Sequence, residues 1–189
     1  MNSVEPPRYV SRGALKLAGA AAVLGLDFKD KTVLDVGSST GGFTDFALKS
    51  GAAKVIAVEV GTNQMHPSLR TDPRVELHEK TDIRNLASAA KPDVVLIDVS
   101  FVSLREILPA VARLSSKDTR IVAMCKPQFE AGDKDLNRGV IKNDSIRRQV
   151  LRDFEAWAKK RFVVQAKVDS EIAGSKGNLE RFYLLRLET

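Results

Sequence analysis

The stretch Thr32-Val33-Leu34-Asp35-Val36-Gly37-Ser38-Ser39-Thr40-Gly41-Gly42-Phe43-Thr44 passes from an apolar, β-branched run through a glycine-bearing turn toward an amphipathic segment. An apolar run without strict polar alternation suits a strand buried on both faces, and such strands belong to parallel sheets. Working outward, similar runs recur at 54–60, 74–77, 93–99 and 120–125. Helical spacing separates them at 42–50 (Phe43, Phe46, Ala47, closed by Gly51), 103–114 and 145–160 (Val150, Phe154, Trp157, Ala158). This alternation predicts an α/β domain with a mostly parallel sheet.

Ahead of the first run, Ser11 is placed to N-cap a helix with apolar positions Leu17, Ala20, Ala21 and Leu24, stopped by Gly25. Arg12 and Lys16 lie four apart and share one side of it, off the buried face. Residues 1–8, with Pro6-Pro7, read as an extended lead-in to a single domain at 9–189. The chain closes with a strand near 162–168, a glycine-containing turn at 174–178 and a last strand at Arg181–Leu187, predicted as a terminal strand pair. The segment 62–70 contains Pro67 and is predicted to be irregular. The polar segment 128–143 has no clear period, and a loop of that length in a compact domain is usually functional or disordered.

At 189 residues the chain has room for one domain, and 43% hydrophobic residues allow a sizeable core. The charged fraction of 29% and the short apolar runs exclude a helical membrane protein. No secretory h-region follows Met1, and lone Cys125 cannot form an internal disulfide, so a cytoplasmic location is expected. With 30 Lys and Arg against 24 Asp and Glu, the net charge of +6 suggests a polyanionic partner such as nucleic acid.

The turn after the first strand is informative for what it lacks. A dinucleotide fingerprint would place glycines at 37, 39 and 42, but position 39 is serine, and the missing glycine is the one that lets a pyrophosphate approach. Asp35, inside the turn, would repel a pyrophosphate yet could accept a hydrogen bond from an ammonium group. A cationic, phosphate-free ligand with an amino-acid tail fits, which describes S-adenosylmethionine. Glu59, 24 residues after Asp35, is placed to accept the ribose hydroxyls of an adenosine, and Asp82 to reach the adenine amine. The bland reading of each carboxylate is a helix cap or a solvated turn.

Asp98 and Lys126 end the fourth and fifth apolar runs, at the carboxyl edge where open α/β sheets bind ligands. Partial burial and an approach by Lys16 would lower the lysine pKa and make Lys126 a general base. Glu180 could orient or charge-balance the lysines; alternatively Lys126 extends to solvent, and Glu180 is an ordinary surface glutamate, the reading that spacing alone favours. With His66, His78 and one cysteine, no metal-ligand cluster is visible.

Five segments then carry a resemblance: 9–17 (YVSRGALKL), 35–44, 97–101 (IDVSF), 126–130 (KPQFE) and 176–180 (KGNLE). In this order they resemble the TlyA (haemolysin A) family of FtsJ-like ribosomal RNA methyltransferases. The resemblance implies a Rossmann-like, seven-stranded, mostly parallel sheet with a C-terminal antiparallel strand. It implies S-adenosylmethionine as methyl donor, held by Asp35, Gly37, Ser38, Thr40, Gly41, Gly42, Phe43, Glu59, Asp82 and Asp98. It also implies methylation of a ribose 2′-hydroxyl of ribosomal RNA by a tetrad at Lys16, Asp98, Lys126 and Glu180, with no metal.

Members of that family commonly carry an N-terminal S4 RNA-binding domain, and only about eight residues precede Tyr9. A methyltransferase domain without the S4 domain is therefore expected, binding RNA through its own charges or a partner. Arg8, Arg12, Lys134, Arg138, Lys142, Arg147, Arg148 and Arg152 are available, with a solvated face as the bland reading for those on the helix. A monomer is the working expectation. Two alternatives stand beside catalysis on RNA: a non-catalytic RNA- or membrane-binding protein on the same fold, and a methyltransferase with a different acceptor.

Overall fold

A computed structural model describes residues 9–87, 91–132, 136, 138–141, 143–174 and 176–188. The lead-in at 1–8, including Arg8, and Lys134 and Lys142 of the polar loop lie outside the described residues. The glycine turn stands where the sequence places it, between strand β1 (Thr32–Val36) and helix α2 (Gly42–Lys49). The remaining strands are β2 (Lys54–Val58), β3 (Val75–His78), β4 (Val94–Ile97), β5 (Arg120–Cys125), β6 (Phe162–Asp169) and β7 (Arg181–Leu187). They form a seven-stranded sheet in the order β3-β2-β1-β4-β5-β7-β6. Only β7 runs antiparallel to its neighbours, so the expected C-terminal antiparallel strand is present.

Both faces of the sheet are covered because successive side chains of each strand alternate between two layers. Leu34, Val36, Ile56, Val58, Val95 and Ile97 meet α4 (Leu104–Leu114) and α6 (Asp144–Ala158) through Leu108, Val111, Leu151 and Phe154. Val33, Val55, Ala57, Val94, Leu96 and Met124 meet α1 (Arg12–Leu24) and α2 through Leu17, Ala20, Leu24, Phe43 and Ala47. Each fully buried leucine among them contributes about 2 kcal/mol of transfer free energy.

Several local expectations change. Ser11 occupies the N-cap position of α1, but its side chain makes no capping hydrogen bond. The segment 62–70, expected to be irregular, ends in the one-turn helix α3 (Pro67–Arg70), because Pro67 takes the first helical position, where its missing N–H costs nothing. Likewise the segment following Lys126 opens with a helical turn, α5 (Pro127–Glu130), again started by a proline. β2 and β4 stop at Val58 and Ile97, so Glu59 and Asp98 stand just past the strand ends.

Candidate active site

Strand order reverses its direction of growth at β1, so the crevice between β1 and β4 at the carboxyl edge is the place for a ligand. Backbone bonds tie the strand ends into one floor there. Gly37 N and Ser38 N donate to Val58 O, Glu59 N to His78 O and Asp98 N to Val36 O. Two cavities open on this floor. One, of about 540 Å³, is lined by Gly37, Ser39, Glu59, Asp82, Asp98 and Phe101 among others. The second, of about 390 Å³, is lined by Arg12, Lys16, Ser38, Thr40, Phe43, Lys126 and Glu180, and shares Gly37, Ser39 and Asp98 with the first.

The glycines act differently from the simple expectation that they bring backbone close to a ligand. A Cβ on Gly37, which has φ +81°, would lie 2.5 Å from Asp98 O, so this glycine lets the β1 turn touch the end of β4. A Cβ on Gly42 would lie 2.2 Å from Ser11 Oγ and 3.0 Å from Ala14 N. Gly42 thus seats the start of α1 against the start of α2, which brings Lys16 to the sheet edge. Gly41 lies beneath Leu69 of α3 rather than facing either cavity.

Asp35 is fully buried at the end of β1. Its Oδ2 accepts from Thr44 Oγ1 at 2.6 Å, while Oδ1 has no hydrogen-bond partner. Burial pushes its pKa up to about 7, opposed by the Thr44 hydrogen bond and reinforced by the negative charges of Asp98 and Glu59. Ser38 Oγ is also buried and unpartnered, on the wall of the second cavity. Two buried polar atoms near one turn thus lack a hydrogen-bond partner among the described residues.

Both oxygens of Glu59 accept backbone N–H groups, from Ser39 and Gly61, each at 2.8 Å. That fixes the carboxylate while leaving each oxygen a second lone pair for a diol. Asp82 lines the same cavity, but its side chain also caps the short 3₁₀ turn Ile83–Asn85 and holds the Arg84 guanidinium, which keeps its carboxyl below the usual range. The capping reading therefore holds at Asp82, which lines the cavity as well.

The four tetrad residues come together as two ion pairs on the second cavity. Lys16 Nζ donates to Glu180 Oε2 at 2.6 Å, joining residues 164 apart in sequence. Lys126 Nζ lies 2.6 Å from Asp98 Oδ1, as a charge contact without hydrogen-bond alignment. Lys126 Nζ donates its aligned hydrogen bond to Ser100 Oγ at 2.8 Å. Each lysine has a carboxylate of its own on this cavity, Glu180 standing just ahead of β7.

Several functional features went unread in the sequence. Ser100 carries no pattern of its own, and its role depends on Lys126 folding back onto the loop after β4. Glu130, buried, accepts from Ser103 Oγ and Leu104 N, both at 2.6 Å, and so ties α5 to the start of α4. Burial raises its pKa, opposed by those hydrogen bonds. Arg147, offered above as a surface cation, is buried instead. It donates to Leu179 O and Asp169 Oδ1, bracing the backbone just before Glu180. Arg148 and Arg152 do sit on the exposed side of α6, bonded to Asp144 and Gln149. A third cavity, about 720 Å³, extends from Lys126 past Phe101 and Phe129 to Gly139 and Lys176. Asn178 closes its far side by accepting from Ile141 N and donating to Gly139 O.

Six parallel strands with one antiparallel strand inserted, and a crevice at the β1/β4 switch point, are the Rossmann-like architecture of S-adenosylmethionine-dependent methyltransferases. The chain belongs to the FtsJ-like methyltransferase family, whose model matches residues 9–187. It is 43% identical over 179 residues to the 23S rRNA (cytidine-2′-O)-methyltransferase TlyA of Campylobacter jejuni, covering 93% of this chain and 70% of that protein. The 16S/23S rRNA (cytidine-2′-O)-methyltransferase TlyA of Mycobacterium tuberculosis is 40% identical, covering 96% of this chain and 69% of that protein. A solved structure described as a hemolysin of Streptococcus thermophilus superposes with a TM-score of 0.92 at 42% identity, over 98% of this chain and 69% of that chain. Among the described residues no helix is long and apolar enough to cross a membrane.

Proposed function

We propose that this chain methylates a ribose 2′-hydroxyl of ribosomal RNA in the cytoplasm, with S-adenosylmethionine as donor. The observation that carries the reading is the pair of lysine–carboxylate contacts, Lys126–Asp98 and Lys16–Glu180, on a cavity that also reaches Gly37, Ser38 and Thr40 of the glycine turn. A ribose hydroxyl is a poor nucleophile at neutral pH and needs a positioned base.

When bound, S-adenosylmethionine supplies an electrophilic methyl on a positive sulfur. Asp35 Oδ1 and Ser38 Oγ would hold its amino-acid tail, Glu59 its ribose, and Asp82 the adenine end. Lys126 Nζ takes the 2′-hydroxyl proton, Asp98 holds that nitrogen beside the donor floor, and Glu180 keeps Lys16 on the opposite wall. The rim of the third cavity carries the RNA. Phe101, 90% exposed with φ +64°, stands at its mouth with its ring centroid 5.1 Å from that of Phe129. An apolar ring displayed on a left-handed backbone at a ligand mouth serves as a stacking platform for a base.

The deciding experiment transfers labelled methyl from S-adenosylmethionine to ribosomal RNA or subunits from a strain lacking the enzyme, followed by nucleoside mapping. A 2′-O-methylated nucleoside is expected; label confined to protein, to a base ring or to a small molecule would reject the reading. In the same assay Phe101→Ala is expected to lower kcat/KM for RNA about tenfold, the worth of one stacked base, with donor affinity unchanged. An unaltered kcat/KM would remove Phe101 from the RNA surface.

A further inference from the structure

We propose that Ser100 is a positioning residue of the methyl transfer, fixing which direction of the Lys126 amine faces the ribose hydroxyl. This inference rests on the function proposed above and assigns a role outside the four-residue tetrad.

The geometry at Lys126 carries it. Among the described residues, Ser100 Oγ is the one acceptor that meets Lys126 Nζ with hydrogen-bond alignment, at 2.8 Å. The Asp98 contact, at 2.6 Å, is a charge contact, and Asp98 Oδ1 has no aligned donor. A neutral amine has two N–H bonds and one lone pair around the axis of its Cε–Nζ bond. A single neighbouring acceptor leaves the lone pair two equivalent directions. Ser100 takes one N–H by an aligned hydrogen bond, and the Asp98 charge 2.6 Å from the nitrogen disfavours the lone pair on its own side, so the remaining direction is left to the lone pair.

Ser100 is itself held for this task. It lies on the loop between Asp98 and α4, and Lys126 begins the segment that ends at Glu130. The two segments are latched at both ends. Lys126 meets Asp98 and Ser100 at one end, and Glu130 accepts from Ser103 Oγ and Leu104 N at the other. Phe101 and Phe129 pack ring against ring between them. The hydroxyl therefore has a fixed place relative to Nζ, which a mobile loop could not give. Ser100 lines both the donor-side and the third cavity, at their shared wall.

In the step itself, the O2′–H bond breaks and its proton goes to the Nζ lone pair. O2′ forms a bond to the methyl carbon, and the carbon–sulfur bond breaks with its electron pair going to sulfur. Orientation of the lone pair enters only the first of these events, so its loss is read in kcat rather than in binding.

The test uses the full chain with S-adenosylmethionine and ribosomal RNA, comparing wild type, Ser100→Ala and Ser100→Thr. Ser100 is exposed, so its truncation leaves the core intact. Ser100→Ala is expected to lower kcat about tenfold, with KM for RNA and the donor Kd changed less than about twofold. Ser100→Thr, which keeps the hydroxyl, is expected to recover most of the rate. An unchanged kcat in Ser100→Ala, a loss confined to KM, or a failure of Ser100→Thr to recover would overturn the assignment. A wild type that does not methylate RNA at all would instead overturn the function on which it rests.

Discussion

Lys126→Ala is expected to lower the rate of methyl transfer by about a thousandfold, while the Kd for S-adenosylmethionine stays within about twofold. The separation follows from geometry. Lys126 lies on the wall shared by the second and third cavities, whereas the backbone-anchored Glu59 lines the first, which Lys126 does not reach. Lys126→Arg is expected to be nearly as slow, since a guanidinium keeps the charge beside Asp98 but cannot accept a proton near neutral pH. Comparing the two variants separates proton transfer from electrostatic support. Single-turnover transfer to RNA and calorimetric donor titration are the measurements. Wild-type turnover in Lys126→Ala would eliminate the base assignment, and wild-type turnover in Lys126→Arg would reduce Lys126 to a fixed charge.

How far this site is legible in the sequence depends on which interactions are local. The sheet is legible because buried parallel strands demand apolar residues on both faces, and Val33 to Val36 and Val94 to Ile97 supply them with no polar break beyond Asp35. That one polar residue in a fully buried strand is itself the signal, since a buried carboxylate is costly without partners, and here Thr44 supplies one of them. Asp98 and Lys126 are legible for the same reason, each being the first charged residue after a buried run. Glu180 is not, because its partner is Lys16 on the first helix, and the intervening chain holds the whole sheet. Here the resemblance to the TlyA family supplied what spacing could not.

The glycine turn illustrates a second limit. Its glycines are visible, but their reason is tertiary: Gly37 admits the Asp98 carbonyl and Gly42 admits the start of α1. A sequence pattern records that a side chain is forbidden without recording what stands in its place. Arg147 shows the converse, a cation on a helix whose neighbours Arg148 and Arg152 are exposed, drawn inward by the Leu179 carbonyl. Helical periodicity alone assigns faces, not the acceptor waiting on the next strand.

Donor affinity is expected to fall about tenfold between pH 7.5 and pH 6.0, with Asp35 as the cause. In the free protein Asp35 has its pKa raised to about 7, mainly by burial and further by Asp98 and Glu59, with the Thr44 hydrogen bond opposing. Because the folded value lies above the unfolded one of 3.8, the free protein binds more protons than the unfolded chain between these values. The stability that Asp35 contributes is therefore full below pH 4 and is lost as pH rises through 7. An ammonium at Oδ1 reverses the preference, since a positive neighbour favours the carboxylate. Binding then expels a proton from Asp35 below pH 7, and that cost grows as pH falls. The ligand's own α-amino group titrates near 7.7–8.0, so the window below 7.5 isolates the protein group. Asp35→Asn is expected to bind the donor more weakly at pH 7.5 and to show no slope between pH 6.0 and 7.5. The same proton can be counted directly, by calorimetry in two buffers of different ionisation heat at pH 6.5. A flat wild-type profile, or an equal slope in Asp35→Asn, would remove Asp35 as the partner of the ammonium, because no donor contact at Oδ1 could then be relieving its burial.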